Sequence, residues 1–150
     1  MGDDAFLDRV YEMALEAERR GNLPIAAVLA HGSNVISVGA NETLVPVFHP
    51  GRHAETAAVH AAPETIWAAA PELTIYTSLE PCVMCFGTII LHRIGRVVFG
   101  AFDPRGGALS LREHLPAYVR EKAATIRWEG PVQRERFDPL AQRALAMHWR

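Results

Sequence analysis

Four residues in two short segments are of types that could together bind a metal ion and activate water. His53 and Glu55 lie two residues apart in a His-Ala-Glu run, and Cys82 and Cys85 lie three apart in a Pro-Cys-Val-Met-Cys run. Structural zinc sites are normally closed by four protein ligands, whereas catalytic zinc sites keep one position for water. The chain has only two cysteines, so no further cysteine can close the site. We therefore predict a catalytic zinc ion bound by His53, Cys82 and Cys85.

Because His53 and Glu55 lie two residues apart, we predict different roles for them, one as a metal ligand and the other as a proton-transfer group. Side chains two residues apart point to nearly opposite sides of a regular helix, so both can approach one metal only from an irregular first turn. Zinc lowers the pKa of a bound water to about 7, which makes hydroxide available at neutral pH. A carboxylate beside that water can take its proton and deliver it to a leaving nitrogen. We therefore predict Glu55 as the catalytic residue rather than a metal ligand.

The order of the two segments favours one chemistry over the other interpretations. A lone Cys-x-x-Cys also occurs in redox pairs and in halves of structural zinc sites. The combined pattern His-x-Glu followed by Pro-Cys-x-x-Cys is typical of zinc enzymes that deaminate nucleobases. In that reaction zinc-bound hydroxide attacks an aminated base and ammonia leaves. A zinc-stabilised binding domain without catalytic activity stays open as an alternative, and it would make Glu55 dispensable.

Composition and charge limit the classes of protein to which this chain can belong. The chain has 150 residues, 49% of them hydrophobic, and a formal net charge of -2, which predicts a single domain over residues 1–150. Residues 1–95 carry five Lys/Arg against eleven Asp/Glu, and residues 96–150 carry ten against six. This balance argues against a dominant nucleic-acid or anionic-membrane surface. An acidic start, the lack of an apolar run of about 20 residues and the cysteine count predict a cytoplasmic protein without a membrane segment.

Alternating strand and helix patterns predict a three-layer α/β/α domain around a mixed sheet. Asp3 is expected to cap the first helix, and Pro81 suits the first turn of the helix that carries the cysteines. The expected helices are 3–20, 53–62, a short piece at 64–70, 82–92 and 139–148. The expected strands are 24–30, 35–39, 73–78, 96–100 and 124–128, with loops at 41–52 and 103–107.

Several runs resemble the cytidine-deaminase-like superfamily, and most of all its branch of tRNA adenosine deaminases and guanine deaminases. The runs are Leu-Pro-Ile-Ala-Ala-Val at 23–28, Gly-Ala-Asn at 39–41, Ser-Leu-Glu-Pro-Cys-Val-Met-Cys at 78–85 and Arg-Ile-Gly-Arg-Val-Val-Phe-Gly-Ala at 93–101 followed by Asp103. The resemblance implies a five-stranded sheet, zinc, and a homodimer or larger assembly. It also implies that Asn41 hydrogen-bonds the substrate base and that Asp103 lies near the pocket. Ala54 is a further candidate for substrate contact. A turn-forming role stays open for Asn41 and Asp103.

Departures from that branch leave the substrate open. The branch commonly has Asp-Pro-Thr-Ala before its His-Ala-Glu, whereas this chain has His-Pro-Gly-Arg at 49–52, and Ala26 replaces a common glycine. Arg52 could contact an anionic or carbonyl group or could be a solvated side chain. Because Lys122 is the only lysine, we expect a small aminated base or nucleoside, with purines such as guanine favoured. A tRNA-specific adenosine deaminase that forms inosine is the alternative. Trp149 is a candidate cap over the pocket.

Overall fold

Five strands form one mixed sheet at the centre of the structure, a computed structural model that describes residues 2–147. The spatial order of the strands is β2-β1-β3-β4-β5. β1 runs antiparallel to both β2 and β3, whereas β3, β4 and β5 run parallel to one another. The expected mixed sheet of five strands is confirmed. Its strands are β1 Ala26–His31, β2 Asn34–Ala40, β3 Leu73–Leu79, β4 Arg96–Ala101 and β5 Arg127–Glu129.

Helices cover both faces of the sheet, as the three-layer prediction requires. The five α-helices are α1 Asp3–Arg19, α2 Ala54–His60, α3 Val83–Leu91, α4 Ala117–Ala123 and α5 Arg134–Ala146, and 3-10 segments lie at Glu64–Glu72 and Leu109–His114. Alternate residues of β1 face opposite layers, because side chains of a strand alternate between its two faces. Val28 packs into one apolar core with α1 and α5, and Leu29 packs into the other with α2 and α3. Within residues 2–147, no helix combines the length and apolar character needed to cross a membrane.

Some expected boundaries of helices and strands are wrong, and two of the differences have a local cause. Asp3 is the first residue of α1 rather than its cap, and Gly2 occupies the cap position without a side-chain bond. Helix α5 begins at Arg134, five residues before the expected start at Pro139, because its buried apolar face already includes Phe137. Helix α4 was not predicted, since it buries no residue and therefore has no apolar periodicity. The last strand is shorter than expected and lies at 127–129.

Gly39 lets helix α2 pack directly on strand β2. This contact fixes the distance between the strand and α2, which begins directly after His53. A Cβ atom at Gly39 would lie 2.1 Å from the carbonyl oxygen of Ala54 and 2.5 Å from the backbone nitrogen of Ala58. Those distances are far inside van der Waals contact with backbone atoms, which cannot move without shifting the helix. The start of α2 is therefore positioned by the sheet as well as by the preceding loop.

Arg96 on β4 pairs with a carboxylate of α1 and a carboxylate of β5. Replacing it is therefore expected to lower the stability of the fold in a pH-dependent way. Its guanidinium donates to Asp3 at 2.9 and 2.7 Å and to Glu129 at 3.0 and 2.6 Å. The hydrogen bond from Arg96 lowers the pKa of Asp3 from 3.8 to about 2. The ion pair therefore stabilises the fold above pH 4, and this contribution is lost as the pH falls toward 2.

We expect Arg96→Met to lower the free energy of unfolding by about 1–2 kcal/mol at pH 7. The expected loss of stability is modest because the carboxylates of Asp3 and Glu129 are nearly half exposed. Urea unfolding at pH 7 and at pH 2.5 measures the difference, which should shrink at the lower pH. The control is Arg134→Met, which removes an exposed pair with Asp138 and should change stability by less than about 0.5 kcal/mol. Equal losses at both pH values would contradict the assignment to Asp3.

Candidate metal and catalytic site

The beginnings of helices α2 and α3 bring His53, Cys82 and Cys85 together. His53 and Cys82 occupy the cap positions of the two helices, with extended backbone angles. Cys85 lies one turn further along α3, so both sulfurs are on the same side of that helix. β3 ends at Leu79, three residues before Cys82, so the sheet delivers α3 to this point. The irregular helix start predicted for His53 is therefore found at the beginning of α2.

The distances among the three side chains fit a tetrahedral zinc site. The Nδ1 atom of His53 lies 3.3 Å from the Sγ of Cys82 and 3.6 Å from the Sγ of Cys85. Zinc bonds of 2.0–2.1 Å to nitrogen and 2.3 Å to sulfur place two tetrahedral ligands about 3.6 Å apart. Among the His, Cys, Asp and Glu side chains of residues 2–147, these three form the group whose ligand atoms all lie within 4.8 Å of one another. Within the described residues the cluster offers three ligand atoms, one fewer than a closed structural zinc site uses.

Glu55 lies beside this cluster and is almost completely buried. Its Oε1 accepts a hydrogen bond from the hydroxyl of Thr77 at 2.8 Å, and its Oε2 accepts one from the thiol of Cys85 at 3.3 Å. Burial raises the pKa of the Glu55 carboxyl above its usual range, while the Thr77 hydrogen bond opposes that rise. A carboxyl with a raised pKa can both accept and donate a proton near neutral pH. The sheet, through Thr77 on β3, therefore fixes one oxygen and leaves the other facing the metal ligands.

The electrostatics of Cys82 favour the thiolate that a metal ligand must be. Hydrogen bonds from Cys85 and from His53 lower the pKa of the Cys82 thiol from 9.0 to about 4. The same contact with Cys82 raises the pKa of the His53 imidazole. Zinc binds sulfur as thiolate, so a thiol that is already ionised at neutral pH releases no proton on binding. Cys82 is thus ready to bind a cation. The hydrogen bond with Cys82 and burial raise the pKa of the Cys85 thiol, so Cys85 must lose a proton when a metal binds.

A pocket of ≈ 340 Å³ opens directly onto this cluster. It contains Asn41, Ala54 and Asp103, the three residues expected to contact a substrate. Arg52 is not among its lining residues in the described part of the chain, and its guanidinium lies 3.8 Å from Glu42 instead. Trp149, the expected cap, lies outside the described residues. Within the described residues, the pocket is lined by Leu23, Ile25, Asn41, His53, Ala54, Glu55, Leu79, Glu80, Cys82, Asp103, Arg105, Gly106, Ala144 and Leu145.

Asn41 is held so that only its amide N–H groups remain for a ligand. Its Oδ1 accepts hydrogen bonds from the backbone of Leu23 at 3.3 Å, the backbone of Thr43 at 3.2 Å and the Thr43 hydroxyl at 2.9 Å. The residue is 2% exposed, and within residues 2–147 no hydrogen bond from its Nδ2 is found. Asn41 therefore has the turn-forming role that the sequence left open, and it also lines the pocket.

Asp103 combines the same two roles. Its Oδ1 accepts hydrogen bonds from the backbone of Arg105 and of Gly106, both at 2.9 Å, which is the usual way an aspartate stabilises a turn. The residue also lines the pocket. The turn interpretation is therefore correct, and contact with a ligand stays a prediction.

Sequence reasoning missed three parts of the pocket wall. Glu80 is 8% exposed and lines the pocket, and burial raises the pKa of its carboxyl. Arg105 lies in the same loop as Asp103, so its proximity could have been expected. The end of α5 supplies Ala144 and Leu145, two residues that the prediction of Trp149 as a cap over the pocket does not include.

Comparison with known proteins places the first two thirds of the chain in one sequence family. Residues 1–101 match the family described as the cytidine and deoxycytidylate deaminase zinc-binding region. The tRNA-specific adenosine deaminase of Bacillus subtilis is 37% identical over 108 residues, which is 70% of this chain. The match spans 65% of that relative's own length.

Solved structures extend the similarity to the whole fold. A chain from a study of A-to-I editing by tRNA:A34 deaminases at the wobble position of transfer RNA is 26% identical, with a TM-score of 0.71. The similarity covers 91% of this chain and 99% of the solved one. A guanine deaminase from Nitrosomonas europaea has a TM-score of 0.75 at 21% identity, covering 97% and 86% of the two chains. At that identity the second match shows the shared fold alone.

Proposed function

Because the chain belongs to the family of cytidine and deoxycytidylate deaminase zinc-binding domains, we propose that it hydrolytically deaminates an adenine-type base. The observation that carries this proposal is the placement of Glu55 beside the three metal-ligating side chains, within a pocket large enough for a base. Zinc held by His53, Cys82 and Cys85 supplies Lewis-acid activation of water at neutral pH. The site residues themselves are assigned here as part of the proposal.

The protein's own groups account for the proton transfers. Glu55 takes one proton from the attacking water and passes it to the exocyclic nitrogen, which leaves as ammonia. The second proton of the water ends on the adjacent ring nitrogen as the oxo group forms. Thr77 keeps one carboxylate oxygen in place during this exchange. Asn41 orients the base by donating from its Nδ2 to an acceptor on the ring. Leu23, Ile25 and Leu79 supply apolar contacts for the faces of the base and exclude bulk water.

Adenosine in a tRNA is the substrate that the comparisons favour, in preference to the free base expected from composition. The B. subtilis relative is named a tRNA-specific adenosine deaminase, and the solved chain with full coverage comes from a study of tRNA:A34 deaminases. Net charge is a poor guide here, because an extruded base enters a small pocket and the surrounding contacts can be few.

A substrate panel tests this assignment. Purified protein loaded with zinc is incubated with an anticodon stem-loop, adenosine, adenine, guanine and cytosine, and released ammonia and inosine are measured. The proposal expects inosine in the stem-loop at a rate well above that of any free base. Turnover of guanine or cytosine without turnover of the stem-loop would contradict the assignment of the substrate and leave the reaction type intact.

A free purine such as guanine remains the second candidate, favoured by one feature of the pocket. The end of α5 and the loop that contains Asp103 both line it, which encloses a small ligand on more than one side. Glu80 and Asp103 add carboxylate groups to the lining, and such groups can accept hydrogen bonds from the ring N–H and amino groups of guanine. In the same panel, this candidate expects guanine to be the best substrate.

Exchanging the amide of Asn41 for a carboxylate separates its turn role from its substrate role. Asn41→Asp retains an oxygen for the three donors that bond Oδ1 and removes the Nδ2 donor. We expect kcat/KM to fall about 10- to 100-fold, because a buried substrate acceptor is left without its partner. Thermal unfolding should change little, whereas the control Asn41→Ala should lower both stability and activity. Unchanged kinetics in Asn41→Asp would remove Asn41 from the substrate site.

An exposed apolar face on α3 supports the proposed homodimer. Val83 is 66% exposed, Met84 37% and Leu91 58%, and a helix brings residues 84, 87 and 91 to one side. Apolar side chains grouped in this way on a surface commonly mark an interface with another chain. We expect Leu91→Glu to convert a dimer into a monomer in size-exclusion chromatography with light scattering. The control Leu111→Glu changes a leucine that is 38% exposed outside α3 and should leave the dimer intact. A wild-type protein that is monomeric at all concentrations tested would contradict the proposal.

A further inference from the structure

Thr43 is completely buried in the loop that follows β2. It is 0% exposed, and within residues 2–147 it is not among the residues that line the pocket beside Glu55. A side chain that does not reach the pocket cannot touch a bound base, so Thr43 can affect the reaction only through another residue. The residue that its hydroxyl contacts is Asn41, which does line the pocket.

Thr43 supplies two of the three hydrogen bonds to the amide oxygen of Asn41. Its hydroxyl donates to Oδ1 at 2.9 Å and its backbone N–H at 3.2 Å, and the third donor is the backbone N–H of Leu23 at 3.3 Å. A carbonyl oxygen has two lone pairs, so three donors leave it no capacity for a ligand. Turning the amide over would place its NH₂ group against the same donors. The network therefore fixes which end of the amide is free, and that end is Nδ2.

The segment that carries Thr43 is itself held by a second buried asparagine. The Oδ1 of Asn22 accepts hydrogen bonds from the backbone of Leu44 at 3.0 Å and of Val45 at 2.9 Å, and its Nδ2 donates to the carbonyl of Val45 at 3.2 Å. The carbonyl of Thr43 accepts a hydrogen bond from the backbone of His49 at 2.8 Å. The Thr43 hydroxyl therefore projects from a backbone that is fixed by several bonds.

We propose that Thr43 is a positioning residue for the substrate base, because its hydroxyl keeps the amide of Asn41 in the orientation in which Nδ2 can donate to the base. A base bound in this way must offer a hydrogen-bond acceptor to Asn41, and a group that itself donates is disfavoured at this point. The inference rests on the proposed deaminase function. Because Thr43 does not line the pocket, it is not a catalytic residue.

The test compares two variants that differ in one hydroxyl group. Thr43→Val keeps the branched shape and the backbone donor and removes the hydroxyl, whereas Thr43→Ser keeps the hydroxyl. We expect KM for the best substrate of the panel to rise about three- to tenfold in Thr43→Val, which is the range for one hydrogen bond. The value of kcat should change less than about twofold, since binding is weakened and Glu55 is unaltered. Thr43→Ser should have nearly the KM of the wild type. An unchanged KM in Thr43→Val, or an equal rise in both variants, overturns the proposal.

Two further variants separate positioning from a general loss of stability. Ser37→Ala removes another buried hydroxyl, which donates to the carbonyl of Ala58 at 2.6 Å, and it should lower the midpoint of thermal unfolding without raising KM. The double variant Asn41→Asp with Thr43→Val should have the KM of Asn41→Asp alone, because residues that act through one contact are not additive. A raised KM in Ser37→Ala, or an additive rise in the double variant, overturns the proposal.

A measurement on the protein without substrate keeps the proposal separate from the function. In ¹H–¹⁵N spectra the Nδ2 resonances of Asn41 should be the same in the wild type and in Thr43→Ser, and they should be shifted or broadened in Thr43→Val, where Oδ1 has lost a donor. Identical resonances in all three proteins overturn the proposal. If the wild type deaminates nothing in the panel, the proposed function fails, while the spectra still decide whether Thr43 orients Asn41.

Discussion

Glu55→Gln is expected to abolish deamination while the protein still folds and still binds zinc. The amide keeps the shape of the side chain and can still pair with the Thr77 hydroxyl, which lies 2.8 Å from Oε1, but it cannot take a proton from water. Positioned acid–base groups contribute about 10²- to 10⁴-fold to a rate. Because Glu55 serves as both base and acid in the proposed reaction, we expect a loss at the upper end of that range. The measurement is ammonia release on the best substrate of the panel.

Two controls identify the cause of that loss. Zinc content by atomic emission should equal that of the wild type, since Glu55 does not belong to the cluster of ligand atoms. Glu64→Gln changes an exposed glutamate at the start of a 3-10 segment and should retain full activity. If Glu55→Gln and wild type turn over every base equally, the zinc site is structural and the catalytic assignment is wrong.

Cys85→Ser should remove the metal, the activity and part of the stability together. Cys85 is fully buried, and its Sγ lies 3.6 Å from the Nδ1 of His53. Serine is a weaker zinc ligand than cysteine, and no side chain from the surface can reach this buried position to replace it. Loss of an outer partner alone costs 10- to 100-fold in metal affinity or activity, and the loss of a direct ligand should exceed that range. Zinc content, activity and the midpoint of thermal unfolding are measured on the same preparations.

The control for the cysteine variant comes from the same helix turn. Met84 lies between the two cysteines on the exposed face of α3 and is 37% exposed, so Met84→Ala should keep its zinc. Chelation of the wild type should reproduce the lower unfolding midpoint of Cys85→Ser, and added zinc should restore the wild type alone. A Cys85→Ser protein with full zinc content and undiminished activity would remove Cys85 from the metal site.

The reaction chemistry could be predicted from the sequence because its residues come in two short runs. His53 with Glu55, and Cys82 with Cys85, are close in the chain, so helix geometry alone limits where their side chains point. The lack of a third cysteine already predicts an open metal position. Strand and helix types were also predictable, since a sheet buried on both faces leaves a strong local pattern of apolar residues.

What only the tertiary structure decided is which distant groups surround that chemistry. Thr77 reaches Glu55, Glu80 lies against Gly107, and Arg105 meets Leu145 forty residues later. Each contact joins segments whose separation is set by the order of strands and the packing of α5, and a local pattern carries no information about such distances. The sequence therefore predicted the metal ligands and the proton-transfer group, whereas long-range packing decided the shape of the pocket, on which the choice of substrate depends.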